Sequence, residues 1–214
     1  MTMKIGVVSQ KGGVGKGTVC RLLACELARE GLDVKIADLD VGQASNMHWH
    51  RRRLENKGAP AIAVELFLTA EQAIRAAENH DVMVFDGAPH ATRGTLQIAK
   101  ASDFVILPTS TSVDDMEPTI MLAAELKKNK VPAERVGILL SRVGDSAVEL
   151  QEARDYVNKS GFWLVPDAIY ERTAYRRAGD LGNSPSETTF PSLNKKVKKI
   201  VSQIFKRIDQ IGEK

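Results

Sequence analysis

Gln10-Lys11-Gly12-Gly13-Val14-Gly15-Lys16-Gly17-Thr18 is the stretch on which the reading of this chain turns. The apolar run Ile5-Gly6-Val7-Val8 before it reads as a buried strand. Val19, Leu22, Leu23 and Leu27 after it recur at helical spacing, and Gly31 is the expected stop of that helix. The order is therefore strand, glycine-rich turn, helix, the setting in which a phosphate-binding loop is credible. Glycines let backbone N–H groups turn toward one anion, and the helix start adds free amides and the positive end of its dipole. Lys16 then places a point charge on the terminal phosphates. The physical reading is a cradle for a triphosphate.

The strict phosphate-loop pattern fails at both ends. Gln10 stands where the first glycine belongs, and Gly17 where a Ser or Thr would hold magnesium. Lys11 is an additional lysine inside the loop. With it the string resembles the deviant Walker A box, KGGxGK[ST][ST], of the ParA/MinD family of partition and positioning ATPases. The resemblance implies that Lys11 reaches across a nucleotide-sandwiched dimer to the partner's phosphates. It implies ATP with Mg2+ bound by Lys11, Gly12, Gly13, Val14, Gly15, Lys16, Gly17 and Thr18. Without a hydroxyl at Gly17, magnesium rests on phosphate oxygens and waters, so slow turnover is expected, and Gly17→Thr is expected to raise it.

Two further strands end in acid. Asp33 to Asp38 reads as a buried strand running into Asp38-Leu39-Asp40, and Val82-Met83-Val84-Phe85-Asp86 as another. In open α/β sheets ligands sit at the carboxyl ends of strands, so these carboxylates emerge beside the loop. Such groups hold magnesium or orient the attacking water. Asp38 to Trp49 resembles the family's second box, DxDPQGSATxW, with Val41-Gly42 in place of Pro-Gln and one extra residue before the tryptophan. By that resemblance Asp40 positions the lytic water. Asp86 followed by Gly87-Ala88-Pro89 resembles the Walker B strand and second switch, so Asp38 and Asp86 are the metal-side candidates.

The chain has 214 residues, a net charge of +3, 43% hydrophobic and 27% charged residues, ordinary values for a soluble α/β domain with a sizeable core. Charge this mild makes the location of basic residues, not their sum, the clue to partners. Cys20 and Cys25 lie five apart on the first helix, where they cannot easily bridge, and read as buried thiols in a reducing compartment. No secretory leader is read at the start, and no apolar stretch approaches the roughly 20 residues that span a bilayer.

The remaining elements follow in order. Ala61 to Glu65 reads as a short strand, Thr69-Ala70-Glu71-Gln72 as a capping box opening a helix, and Phe104 to Pro108 as a strand. A helix from about Asp114 to Lys130 holds Pro118 in its first turn. Val136 to Leu140 is the next strand and runs into Ser141-Arg142. Relatives place Asn-Arg there, so Arg142 is a cofactor candidate and base reading is weakened at Ser141. Phe162 to Val165 is the last expected strand, and the family pattern has Pro166-Asp167 close the nucleotide pocket. His48 and His50 flank Trp49 without a third metal ligand nearby and do not read as a metal site. Arg51-Arg52-Arg53 reads either as a solvated helix face or as a contact cluster.

Ile169 through Glu187, with Arg172, Tyr175, Ala178, Gly182 and Ser184, resembles the "I..R.AY..A...G.SV.E" segment of small ParA proteins that lack an N-terminal helix-turn-helix. The last helix, about Pro191 to Ile211, has one apolar stripe and a basic remainder. That face is read three ways: solvated, gripping DNA phosphates, or lying on a membrane surface.

The expectation is one α/β domain over residues 1–214, P-loop NTPase-like, with a mostly parallel twisted sheet of about seven strands and helices on both faces. The resemblance implies an ATPase that dimerises on ATP, binds DNA without sequence preference and positions a plasmid, chromosome region or cargo. It also implies a ParB-like partner, and a cytoplasmic, nucleoid-associated location. The DNA-contact candidates are Arg172, Arg176, Arg177, Lys195, Lys196, Lys198 and Lys199. A metabolic P-loop enzyme, a small-molecule kinase or a ligase of the dethiobiotin-synthetase kind, is the alternative. Gly-Lys-Gly-Thr also occurs in adenylate kinases.

Overall fold

The computed structural model describes residues 2–89 and 93–212. Eight strands form the sheet: β1 (Met3–Val7), β2 (Val34–Asp38), β3 (Ala63–Leu66), β4 (Val82–Asp86), β5 (Phe104–Thr109), β6 (Val136–Val143), β7 (Trp163–Leu164) and β8 (Ile169–Tyr170). Their order is β3-β2-β4-β1-β5-β6-β7, with β8 pairing beside β6, and these pairings are all parallel. Parallel strands need covered faces, and each central strand accordingly alternates its side chains between two cores. Met83 and Phe85 enter one core while Val82 and Val84 enter the other.

The helices divide between those cores. The first face is covered by α1 (Lys16–Arg29), α2 (Ser45–Glu55) through Trp49, and the long α8 (Pro191–Gly212) through Val197, Ile200, Val201 and Ile204. The opposite face takes α3 (Ala70–Ala76), α4 (Arg93–Ala101), α5 (Val113–Lys128) and α6 (Ala147–Asn158). On α1, Val19, Leu22, Leu23 and Leu27 are all buried, so burial supplies about 1.5–3 kcal/mol for each of them. The short α7 (Thr173–Asp180) has Ala178 as its one buried residue.

Register brings the acids together. Asp38 and Asp86 are partners across β2 and β4, and Val7, the last residue of β1, faces Asp86 across β1 and β4. All three strands deliver their loops to one edge.

Several expectations change. The sheet gains β8, two residues that no periodicity could reveal. Pro118 is the sixth residue of α5, inside the second turn, because the helix starts at Val113. The same helix stops at Lys128, and Lys130 adopts a left-handed φ of 70°. Gly31 also takes positive φ, as a stop beyond α1 requires. Among the described residues no helix is long and apolar enough to cross a membrane.

Candidate nucleotide site

The loop is built by two left-handed glycines, Gly13 at φ 80° and Gly15 at φ 97°, Gly15 serving as the N-cap of α1. A side chain at Gly15 would meet Ser141 Oγ at 2.6 Å, so only glycine lets the loop pass beneath β6. Ser9 Oγ donates to the Lys11 carbonyl at 2.6 Å, and Arg142 Nη1 donates to the Gly13 carbonyl at 2.7 Å. Arg142 itself has φ 57° and is anchored by Glu171 at 3.1 Å. Buried Val14 fastens the middle of the loop.

Gly12, Gly13, Gly15, Lys16, Gly17 and Thr18 line a cleft of about 600 Å³. Asp40, Gln43, Ser45, Asp86, Ser141 and Arg142 line it too, together with Arg21, Arg52 and the β8–α7 segment. Within this cleft Asp86 is 3% exposed. Its Oδ2 accepts from Asn46 Nδ2 at 2.6 Å, while its Oδ1 is buried with no hydrogen-bond partner. Burial raises the Asp86 carboxyl to about 7; Lys16 opposes the shift and Asp38 adds to it. A buried carboxylate oxygen without a partner, beside a phosphate-type loop, fits a hydrated magnesium ion. The loop and its lysine fit the anionic end of a nucleotide.

Other sequence candidates stand elsewhere. Asp38 is fully buried and does not line the cleft; its oxygens accept from the backbone N–H of Asp40 at 3.1 Å and of Asn46 at 3.0 Å. In this arrangement it orders the Asp40 loop and the start of α2. Lys11 also lies outside its own cleft and pairs with Asp115 at the start of α5, 3.0 Å away. Pro166 and Asp167 do not close the cleft. The Pro166 carbonyl accepts from Arg154, and Asp167 is held by Gln203 at 2.6 Å and Lys199 at 2.8 Å. Ile169, Tyr170 and Glu171 form that wall instead.

The DNA candidates do not form one patch. Arg172, Arg176 and Arg177 line the nucleotide cleft. Arg172 pairs with Asp145 at 2.5 Å and lies over the Tyr170 ring, and Arg176 pairs with Glu171 at 2.9 Å. Lys195, Lys196, Lys198 and Lys199 lie on α8; Lys198 also reaches Glu26, at 3.6 Å.

The three arginines after His50 share no common fate: Arg51 is exposed, Arg52 half-buried and Arg53 buried. Sequence reasoning missed Arg21 and Asn46, while Ser45 belongs to the second-box resemblance. The signal for Arg21 was present, one charge inside the apolar stretch Val19–Ala24. Nor does Gly17 face an open gap. A Cβ there would lie 3.2 Å from Ser45 Oγ and 3.4 Å from Arg21 and Asn46. Burial raises the Cys20 thiol well above its ordinary range and Cys25 to about 12, so both are inert core groups.

Comparison with known proteins agrees with this geometry. Residues 5–185 match the model of the CobQ/CobB/MinD/ParA nucleotide binding domain. A plasmid partition protein of Borrelia burgdorferi, solved with AMPPNP, superposes with a TM-score of 0.73 at 18% identity, covering 97% of this chain and 100% of that one. The septum site-determining protein MinD of Pyrococcus horikoshii, solved with Mg-ADP, gives 0.73 at 18% identity over 95% and 96%. These likenesses establish a P-loop NTPase-like fold. An iron-sulfur cluster carrier protein of Clostridium perfringens is 54% identical over 37 residues, a match spanning 17% of this chain and only 13% of that protein.

Proposed function

The chain belongs to the CobQ/CobB/MinD/ParA nucleotide-binding family, and from that membership we propose that it is a ParA-type ATPase. In this reading Lys16, Gly12–Gly15, Gly17 and Thr18 hold ATP, Asp86 lies on the magnesium side, and Asp40 orients the attacking water. Magnesium bound with the nucleotide supplies charge neutralisation at the terminal phosphates. ATP pairs two copies; the dimer binds DNA without reading its sequence and positions a cargo through a ParB-like partner, at the nucleoid.

The observation that carries this reading is the division of the two lysines. Lys16 lines the cleft, whereas Lys11, in the same loop, points out of it to Asp115. An exposed pair of this kind is worth little, about 0–1 kcal/mol, so Lys11 is free to exchange its carboxylate for another anion. A partner's phosphates are such an anion. Lys16→Ala is expected to abolish ATP binding in calorimetry. Lys11→Ala is expected to bind ATP normally yet fail to form ATP-dependent dimers in sedimentation and to lose hydrolysis. Normal dimers and turnover in Lys11→Ala would overturn the ParA-type role of Lys11, and with it the observation that carries this reading.

The basic residues give a second expected result. ATP should raise affinity for arbitrary duplex DNA, and log affinity should fall linearly with log salt, as release of counterions requires. Lys198 and Lys199 are engaged by Glu26 and Asp167, so Lys195 and Lys196 are the better probes. Replacing Lys195 and Lys196 with glutamate should flatten the salt slope, by about 0.9 for each phosphate no longer neutralised. Anisotropy titrations with ATP and magnesium at several salt concentrations measure this; no binding at low salt would refute it.

A further inference from the structure

Gly17 and Arg21 lie four residues apart on α1, one above the other, and both line the cleft. The space a side chain at 17 would take is bounded by a hydroxyl, a guanidinium and an amide oxygen, at 3.2, 3.4 and 3.4 Å from that side chain's first carbon. Arg21 does not drift through this space. Its Nε donates to Asn46 Oδ1 at 2.8 Å and its Nη2 to the Ser45 carbonyl at 2.8 Å. Its guanidinium carbon sits 5.6 Å from the centroid of the fully buried Trp49 ring. Asn46 in turn donates to Asp86 Oδ2 at 2.6 Å. One network thus ties a permanent cation to the carboxylate on the metal side of the cleft. The two anchoring bonds use two of the five N–H groups of the guanidinium, leaving three for an anion in the cleft.

We propose that Arg21 is a built-in phosphate-binding cation: occupying room left by Gly17, it carries charge that magnesium ordinarily brings to a bound nucleoside triphosphate. Nucleotide affinity therefore depends little on the metal. Two features of the pair argue for this beyond mere packing. The chain gives up the one loop position that offers magnesium a hydroxyl. Within about one turn it places a cation that is always protonated and pre-oriented by two hydrogen bonds. A guanidinium cannot organise an octahedral shell of water, so the substitution serves binding and not the metal's part in hydrolysis. This role for Arg21 rests on the nucleotide reading of the cleft given above.

The test is the affinity of the full chain for a fluorescent, non-hydrolysable ATP analogue, in magnesium and in EDTA. Wild type should lose no more than about 3-fold on removal of magnesium. Arg21→Ala should lose at least ~10-fold in EDTA and less than that in magnesium, because a charge-assisted bond to phosphate is gone. Arg21→Lys should fall between them. Gly17→Thr crowds Arg21 and restores a hydroxyl, so its affinity should become dependent on magnesium; it gives the same reading should Arg21→Ala fail to fold, which a thermal melt reports. Wild type binding in magnesium but losing ~10-fold or more in EDTA overturns this proposal alone. Wild type binding no nucleotide under either condition overturns it together with the reading of the cleft.

Discussion

Asp86→Asn is expected to stabilise the nucleotide-free chain and to weaken its magnesium–nucleotide complex. The first effect follows from burial. The carboxyl is held at about 7 in the fold, against an ordinary value of 3.8. The folded chain thus keeps a proton that the unfolded chain has already released. Where the folded state binds more protons, stability falls as pH rises. The loss begins near pH 4, is complete just above pH 7, and amounts to on the order of 4 kcal/mol. Asparagine cannot ionise, so Asp86→Asn should flatten that pH dependence and melt higher at pH 7.5, while differing little from wild type at pH 4. Asn46 Nδ2, which now donates to Asp86 Oδ2, can donate to the new amide oxygen. The second effect has the opposite sign. Among the described residues, Oδ1 of Asp86 is the one buried carboxylate oxygen in the cleft without a partner, and the amide removes its charge. The extra thermal shift that magnesium adds to that of ATP alone should be lost, while the shift given by ATP alone remains. Melting curves at pH 4 and 7.5, with and without ligand, measure both. A variant that melts lower than wild type at pH 7.5 would show that the Asp86 charge is compensated in the empty fold.

How much of this was legible depends on distance along the chain. The loop, the strand before it and the helix after it are local, and periodicity with glycine placement defines them within a few residues. The acid at the end of β4 was equally plain, because four apolar residues and an aspartate lie in one run. What the sequence hides is which residues face each other. Asp38 and Asp86 look alike as strand-end acids, yet backbone amides fill both oxygens of one and leave an oxygen of the other open. The choice is made by how α2 begins, with the Asn46 amide eight residues after Asp38. The arginines of α7 lie some 160 residues from the loop, and only the pairing of β8 beside β6 brings them to the cleft. Arg51-Arg52-Arg53 misleads for a geometric reason. Successive residues on a helix point about 100° apart, so a run of three like charges cannot all face solvent when the helix packs on one side.

Arg53→Ala is the substitution expected to cost the fold most. The side chain is 2% exposed. Its Nε and Nη2 donate to the Pro60 carbonyl at 3.2 and 3.0 Å, and Nη1 donates to the Gly182 carbonyl at 3.0 Å. Nη1 and Nη2 also reach the Glu187 carboxylate at 2.8 and 3.0 Å. The guanidinium lies 5.3 Å from the Trp49 ring centroid. Gly182 comes so close to α2 that a Cβ on it would stand 2.2 Å from the Arg53 nitrogen, leaving no room for the segment to shift and compensate. Truncation at 53 therefore strands the buried Gly182 carbonyl and the partly buried Pro60 carbonyl, and half-orphans a mostly buried carboxylate. Glu187 keeps Arg29 at 2.5 Å and the Ser184 amide at 2.6 Å, so the loss is not total. Breaking a buried pair by removing one partner costs about 3–5 kcal/mol, or on the order of 10 °C in Tm for a chain of this size. Arg53→Lys should recover only part of it, since one ammonium cannot serve three acceptors spread around a planar fork. The consequence reaches the cleft, because α2 carries Ser45 and Asn46 at its other end and Arg53, with Trp49 and Asn56, ties that helix to the segment beyond α7. Nucleotide affinity in Arg53→Ala should fall along with stability and recover at low temperature, where the tie is less needed. An unchanged melting temperature would mean that water replaces the guanidinium at Pro60 and Gly182, and that the tie between α2 and Glu187 is dispensable.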